Sequence, residues 1–121
     1  MIATSTAAHK IATERSDETF SVVFRGEEIA RTRRAVVLYE TGLLPVYYIP
    51  REDTKMEFLA RSALVTRCPY KGLANYFDIV HGENRYSNAI WTYEDPLPAT
   101  TAIARHLAFY PDRVEIERQP D

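Results

Sequence analysis

The amino-acid sequence predicts a mainly β protein of the α+β class, a single compact domain with an antiparallel sheet and one or two short helices. Three observations support this prediction. The chain has 121 residues, which suits one domain with one core. Short runs of alternating or β-branched apolar residues recur along it, separated by turn residues. Seven prolines and eight tyrosines beside only four glycines are typical of ordered strands and firm turns.

The N-terminal half is predicted to be a series of strands. Residues 1–18 show no lasting period and are interpreted as a loose arm, which becomes an edge strand or a partner contact. The folded domain is expected over residues 19–117, followed by a frayed tail at 118–121. Strands are predicted at residues 20–25, 29–33, 35–39 and 45–50, with a turn at 26–28.

Two helices are predicted after these strands. Asp53 is a good N-cap, and the apolar residues spaced behind it predict a short helix over residues 54–61. Pro98 suits the first turn of a second helix, whose apolar face runs from Ala99 to Tyr110. Strands are predicted at 75–80, 87–93 and 114–117, the first two joined by a hairpin connection at 81–85.

The composition argues against some classes of partner. A formal net charge of −2 gives no overall basic field to attract nucleic acid or an anionic membrane. No window approaches the roughly 20 apolar residues that a membrane-spanning helix needs. Arginines crowd residues 25–34, where a solvated strand face is weighed against a local basic patch. The single cysteine cannot form an intrachain disulfide and no signal-peptide pattern is present, so a cytoplasmic location is expected.

The densest group of reactive side chains lies in residues 66–76. Cys68 is a candidate nucleophile if neighbouring basic residues favour its thiolate, and is otherwise a small buried hydrophobe. Lys71 follows Tyr70 in a glycine-containing turn. There the lysine either reaches an anionic ligand or lies in solvent.

Two further segments supply candidate binding and acid–base groups. Arg51 is suited to hold a carboxylate or phosphate, or else pairs on the surface with Glu52, which is itself a candidate general base. Trp91 and Tyr93 alternate along one strand and form either a pocket wall or part of the core. Glu94 ends that strand and is a candidate acid–base group.

Common catalytic and cofactor motifs are missing. The sequence contains no G-x-x-x-x-G-K-[ST], G-x-G-x-x-G, G-x-S-x-G or H-E-x-x-H pattern, and its glycines are scattered. One adjacent pair of carboxylates does not define a metal site. We therefore expect no metal ion and no redox cofactor.

Motifs spread along the chain resemble those of one family. In order they are Arg33-Arg34-Ala35, Glu40-Thr41-Gly42, Pro45-Val46-Tyr47-Tyr48, Pro50-Arg51-Glu52-Asp53, Thr66, Cys68-Pro69-Tyr70-Lys71-Gly72, Ala89-Ile90-Trp91-Thr92-Tyr93-Glu94, Pro96 and Leu107-Ala108-Phe109-Tyr110-Pro111-Asp112. Over residues 20–117 the chain resembles the DUF427 family of small cytosolic domains. The resemblance implies a tent-like or barrel-like sheet and a pocket at the shared positions, which here are Tyr48, Arg51, Glu52, Cys68, Tyr70, Lys71, Trp91, Tyr93 and Glu94.

The family is sometimes labelled a nucleotidyltransferase, and this sequence lacks the pattern that such chemistry uses. There is no glycine-serine loop followed by paired D-x-D carboxylates, and the nearest pair, Glu115 and Glu117, lies at the end of the domain. The two C-x-x-C pairs of zinc-bearing tent-like domains are also missing, so no structural zinc is expected.

Three functions remain open from the sequence. The leading hypothesis is a small enzyme or enzyme-like domain that binds a polar, anionic metabolite and performs cofactor-independent lyase, isomerase or hydrolase chemistry. Its catalytic candidates are Glu52, Cys68, Lys71 and Glu94, and its ligand-binding candidates are Tyr48, Arg51, Tyr70, Trp91 and Tyr93. The alternative is a non-catalytic binding or protein-interaction module, with a protein contact or homodimer surface. Mg²⁺-dependent nucleotidyl transfer is third.

Overall fold

Across residues 9–119, which the computed structural model describes, ten β-strands form two antiparallel sheets. The strands are β1 Ile11–Arg15, β2 Thr19–Phe24, β3 Glu27–Thr32, β4 Val36–Glu40, β5 Val46–Ile49, β6 Leu59–Cys68, β7 Gly72–His81, β8 Asn84–Thr92, β9 Leu107–Phe109 and β10 Glu115–Gln119. The larger sheet has the order β1-β4-β5-β9-β8-β7-β6, and the smaller has the order β10-β2-β3. The predicted fold class, mainly β with short helices, is confirmed.

The hairpin between β2 and β3 shows how local sequence sets the fold. Arg25 and Gly26 join these strands with φ angles of 50° and 84°. Two successive positive φ values give a tight turn whose twist matches that of the flanking strands. The turn is therefore shorter than predicted, and β3 already begins at Glu27.

The helix predicted over residues 54–61 is wrong. Short 3-10 turns occupy Arg51–Asp53 and Met56–Phe58, and strand β6 starts at Leu59. Asp53 is not an N-cap. Its carboxylate accepts hydrogen bonds from the Thr32 hydroxyl at 2.7 Å and from the Arg34 guanidinium at 3.2 Å. A helix of about two turns has little stability of its own, so pairing of residues 59–61 with β7 prevails.

The second predicted helix is wrong beyond Ile103. A 3-10 helix spans Pro98–Ile103, with Pro98 in its first turn as predicted. Ala104 leaves the helical path with a ψ of 126°, and Arg105 follows with a φ of 63°. Residues 107–109 form β9 between β5 and β8, and all three are buried. Their continuous apolar run suits a strand covered on both faces.

The two ends of the described chain both join the sheets. Strand β1, which falls within the predicted N-terminal arm, pairs with β4 at the edge of the larger sheet. Strand β10 pairs with β2 as far as Gln119. The rest of the predicted arm at residues 1–8, and of the predicted tail at 120–121, lies outside the described residues. None of the described helices is long and apolar enough to cross a bilayer.

The larger sheet buries different side chains on its two faces. One face packs Phe77 and Ile90 against residues of β2 and β3 such as Phe20. The opposite face carries a second buried cluster that includes Tyr76 and Tyr93. Neighbouring residues of a strand point to opposite faces, so each strand contributes to both clusters. The second cluster surrounds the candidate site.

Candidate functional site

A cavity of about 240 Å³, here called the aromatic cavity, opens on the second face of the larger sheet. Strands β4, β5, β7 and β8 supply most of its wall, and the segments that directly follow β4, β6, β8 and β9 supply the rest. Its lining residues are Leu38, Glu40, Leu43, Leu44, Val46, Tyr48, Lys71, Tyr76, Trp91, Tyr93 and Tyr110. Aromatic side chains with polar tips dominate, and among the described residues of the lining one lysine and one glutamate are charged.

A buried ion pair joins those two charged residues. The Lys71 ammonium lies 2.8 Å from a Glu40 carboxylate oxygen, and their side chains are only 11% and 9% exposed. The same ammonium lies 6.0 Å from the centre of the Tyr93 ring. The backbone of Lys71 is fixed as well, since its N–H donates to Cys68 and its carbonyl accepts from Leu97. The ammonium is therefore held in one place at the cavity wall.

Glu40 remains ionised because its two basic neighbours outweigh its burial. Burial by itself raises the pKa of Glu40, but hydrogen bonds from Lys71 and from His9 lower it to a net value below the ordinary one. His9 Nε2 lies 3.0 Å from the second carboxylate oxygen. The His9 ring also stacks on Tyr70, with centroids 3.8 Å apart. His9, which precedes β1, is thus the second basic partner of the Glu40 carboxylate.

The phenols and the indole of the cavity are positioned by hydrogen bonds and ring contacts. Trp91 Nε1 donates to the hydroxyl of Tyr48 at 3.1 Å, and the two rings meet edge to face. The Tyr76 hydroxyl bonds to Thr66 at 2.9 Å. Burial raises the pKa of Tyr48 and of Tyr93 well above the ordinary value. Both phenols are therefore neutral and able to donate a proton in a hydrogen bond.

Substitution of Tyr48 by Phe tests whether the hydrogen bond between Trp91 and Tyr48 stabilises the protein. Tyr48→Phe removes the only described acceptor of the Trp91 indole N–H. We expect the free energy of unfolding to fall by about 1 kcal/mol, because a largely buried donor loses its partner. The measurement is urea denaturation followed by tryptophan fluorescence. Tyr39→Phe, at an exposed tyrosine, is the control and should leave stability unchanged. Equal effects of the two substitutions would contradict the role given to Tyr48.

A second cluster of charges lies on the opposite face of the same sheet. The Arg51 guanidinium donates to Glu94 at 2.8 Å, and Arg61 donates to the same carboxylate at 2.9 Å. Both guanidinium groups lie 5.4 Å from the centre of the Phe77 ring. The bonds from Arg61 and Arg51 lower the pKa of Glu94 to about 2. The glutamate is thus a fixed anion between two cations.

The structure brings together four of the nine residues singled out in the sequence. Tyr48, Lys71, Trp91 and Tyr93 line the aromatic cavity. Cys68 packs against the same buried cluster from the end of β6, without lining the cavity.

The other four lie elsewhere. Tyr70 is half exposed and stacks on His9 outside the lining. Arg51 and Glu94 belong to the charge cluster on the opposite face. Glu52 lines two separate surface concavities. The sequence therefore predicts one group of residues where the structure has two.

Sequence reasoning missed Glu40 as a site residue. Glu40 belongs to one of the family motifs, and it alternates with Leu38 along β4, so both side chains reach the same face. That alternation could have indicated Glu40 as a site residue. The sequence does not indicate, however, that its partner is Lys71, which lies 31 positions away. Tyr76 and Tyr110 were missed for the same reason, since each reaches the cavity from a different element.

The fold and this cavity define a class of protein: a small antiparallel β domain with an aromatic cavity and a buried lysine–glutamate pair. A family model described as a domain of unknown function, DUF427, matches residues 12–120, and the chain belongs to this family. The resemblance drawn from the sequence motifs is thereby confirmed. No curated protein sequence matches the chain at a significant level. Within residues 9–119 no three His, Cys, Asp or Glu side chains are grouped so that they could hold a metal ion.

Proposed function

We propose that the aromatic cavity binds a small polar metabolite with a carbonyl or carboxylate oxygen, and that the Lys71–Glu40 pair performs acid–base chemistry on it. The observation that supports this proposal is the buried ion pair at the cavity wall, 2.8 Å apart. A buried charge pair is a costly feature to keep for stability alone. Here both charged groups line a space of about 240 Å³.

The hydrogen-bonding groups of the wall favour an oxygen-bearing ligand. A lysine ammonium has three N–H donors. Among the described residues Lys71 uses one of them, for Glu40, so donors remain for a ligand oxygen. The hydroxyl of Tyr93 makes no hydrogen bond with any residue in the range 9–119 and lines the same cavity. Both groups suit a carbonyl or carboxylate oxygen.

Proton transfer is the chemistry that best fits this pair. An ammonium that binds a carbonyl oxygen makes the hydrogens on the neighbouring carbon more acidic, and a carboxylate beside it is placed to accept one of them. The class of reaction is then a cofactor-independent isomerisation or elimination, with hydrolysis as a variant. The proposal gives the base role to Glu40 rather than Glu52 or Glu94, because neither of those lines the cavity. The single cysteine suits a reducing compartment, so the proposed setting is the cytoplasm.

A metabolite screen tests the proposal through the chain's one tryptophan, which lies in the cavity wall. Wild type and Lys71→Met are screened for ligand-induced changes in melting temperature and in Trp91 fluorescence. We expect both signals with one class of carbonyl or carboxylate compounds, and loss of both in Lys71→Met. Lys55→Met is the matched control, because Lys55 pairs with a glutamate far from the cavity. No hit in wild type, or equal hits in Lys71→Met, would contradict the proposal.

The exposed leucines at the cavity mouth favour a second candidate, a protein-interaction module. Leu43 and Leu44 line the cavity, and yet they are 63% and 86% exposed. A second copy of the chain or another protein could cover them. Analytical ultracentrifugation of wild type beside Leu44→Ser tests the homodimer version. A dimer lost in Leu44→Ser would support it, and a monomer in both would contradict it.

A further inference from the structure

We propose a second binding site, separate from the aromatic cavity, that takes the phosphoryl group of a small molecule. This arginine site is a surface concavity of about 470 Å³ lined by Arg51, Glu52, Ala104, Arg105 and His106. None of the described residues lines both this site and the aromatic cavity. The inference goes beyond the proposed function and does not depend on it.

Sheet register brings the two arginines of this site together. Strands β5 and β9 pair with Tyr48 opposite Ala108 and Ile49 opposite Leu107. Arg51 follows the end of β5, in the 3-10 turn Arg51–Asp53, and Arg105 precedes the start of β9, so the antiparallel pairing of these strands leaves both arginines at the same end of the sheet. Two positive charges held near each other repel. A bound anion between them offsets this repulsion.

Arg51 is held rigidly at this position. Its Nη2 donates to the Glu94 carboxylate at 2.8 Å and to the Thr92 hydroxyl at 3.2 Å. That hydroxyl in turn donates to the carbonyl of His106 at 2.7 Å, which ties the arginine to the opposite wall of the site. The Nε of Arg51 is buried and has no hydrogen-bond partner among the described residues. A guanidinium fixed in this way loses little conformational entropy when it binds an anion.

The opposite wall presents Arg105 in an unusual conformation. Its φ of 63° lies in the left-handed region, which a long side chain seldom adopts. Backbone conformations of this kind cluster at functional sites. The side chain is exposed and makes no ion pair with any residue between 9 and 119. Next to it, His106 Nδ1 donates to the Ala104 carbonyl at 3.0 Å, which orients the ring.

The charged groups at and beside the concavity leave an excess of positive charge, which favours an anion. Glu94 is shared by Arg51 and Arg61, so it cannot neutralise both. Arg105 adds another positive charge, and among the described residues that line the concavity Glu52 alone is a carboxylate. Arginine forks bind phosphate oxygens in pairs, and a phosphoryl group offers three acceptor oxygens where a carboxylate offers two.

Titration with inorganic phosphate tests the arginine site. Two-dimensional ¹H–¹⁵N NMR spectra are recorded for wild type, Arg105→Gln and Arg25→Gln at constant ionic strength. Arg25 is the matched control, since it is also an exposed arginine with positive φ and lies outside the site. We expect saturable shifts at residues 104–106 in wild type and Arg25→Gln. In Arg105→Gln, phosphate should bind about tenfold more weakly or worse, because one charged hydrogen-bond donor is lost.

Three outcomes would overturn the proposal. The first is the absence of saturable shifts at residues 104–106 in wild type. The second is equal phosphate affinity in wild type and Arg105→Gln. The third is acetate binding as tightly as phosphate in a parallel titration, which would reject the phosphoryl group as the ligand. Equal amide spectra of the two variants away from the site show that both remain folded.

Discussion

Lys71→Met should lower the free energy of unfolding by about 2–3 kcal/mol and abolish ligand binding in the aromatic cavity. The physical reason is that Glu40, only 9% exposed, loses its closest cation and, among its described partners, keeps His9 alone. A buried carboxylate without its partner must either remain charged at a cost or take up a proton. Urea denaturation at neutral pH measures the stability, and the metabolite screen measures the binding.

An exposed lysine–glutamate pair is the control, because it shows how much stability is lost when a lysine is replaced outside the cavity. Lys55 and Glu27 lie 3.5 Å apart, but their side chains are 50% and 39% exposed. Lys55→Met should therefore change stability by less than about 1 kcal/mol, since water screens such pairs. The double variant Glu40→Gln with Lys71→Met should be more stable than the sum of the single effects predicts. Strictly additive effects would show that the two groups do not act as a pair.

The strands that the sequence predicted well are those whose signal is local. The alternating pattern predicted a strand at residues 20–25, most of which lies in β2, and the continuous apolar run at 35–39 forms most of β4. Both patterns depend only on near neighbours. Tyr48 and Trp91 could also be chosen locally, from the density of aromatic and charged residues around them. Such density does not say which face of a sheet a side chain reaches.

Pairing between distant segments could not be predicted in the same way. Residues 107–109 have the spacing of an amphipathic helix when they are taken with residues 99–106. They form β9 because they pair with β5 on one side and β8 on the other. No pattern within these residues indicates those distant partners. The same limit hid the Lys71–Glu40 pair, whose members are 31 residues apart. Tertiary pairing thus decided both the secondary structure and the site.

Adjacent residues of one segment lie on opposite faces of the sheet, and this explains why the predicted site is split between the two faces. Tyr93 points into the cluster around the aromatic cavity, whereas Thr92 bonds to Arg51 on the opposite face. Glu94 pairs with Arg51 on that face as well. Thr92, Tyr93 and Glu94 are consecutive in the sequence. The side-chain period of two in a strand then sends them to opposite sides.

Glu94→Gln should lower the free energy of unfolding by about 1–2 kcal/mol at neutral pH. The carboxylate lies between Arg51 and Arg61, and both guanidinium groups lie over the Phe77 ring. Without the negative charge the two cations repel each other at the same ring. Urea denaturation of wild type and variant measures the loss. Glu28→Gln is the control, because Glu28 also pairs with an arginine but is more exposed.

The pH dependence of this loss identifies its electrostatic origin. The pKa of Glu94 is lowered from 4.5 to about 2 in the folded protein. A carboxyl group whose pKa is lower in the folded state stabilises the fold above its unfolded pKa, and the stabilisation disappears as pH falls through the folded pKa. The stability gap between wild type and Glu94→Gln should therefore be constant at neutral pH and shrink as the solution is acidified below 4.5. A gap that does not change on acidification would mean that Glu94 acts by packing rather than by charge.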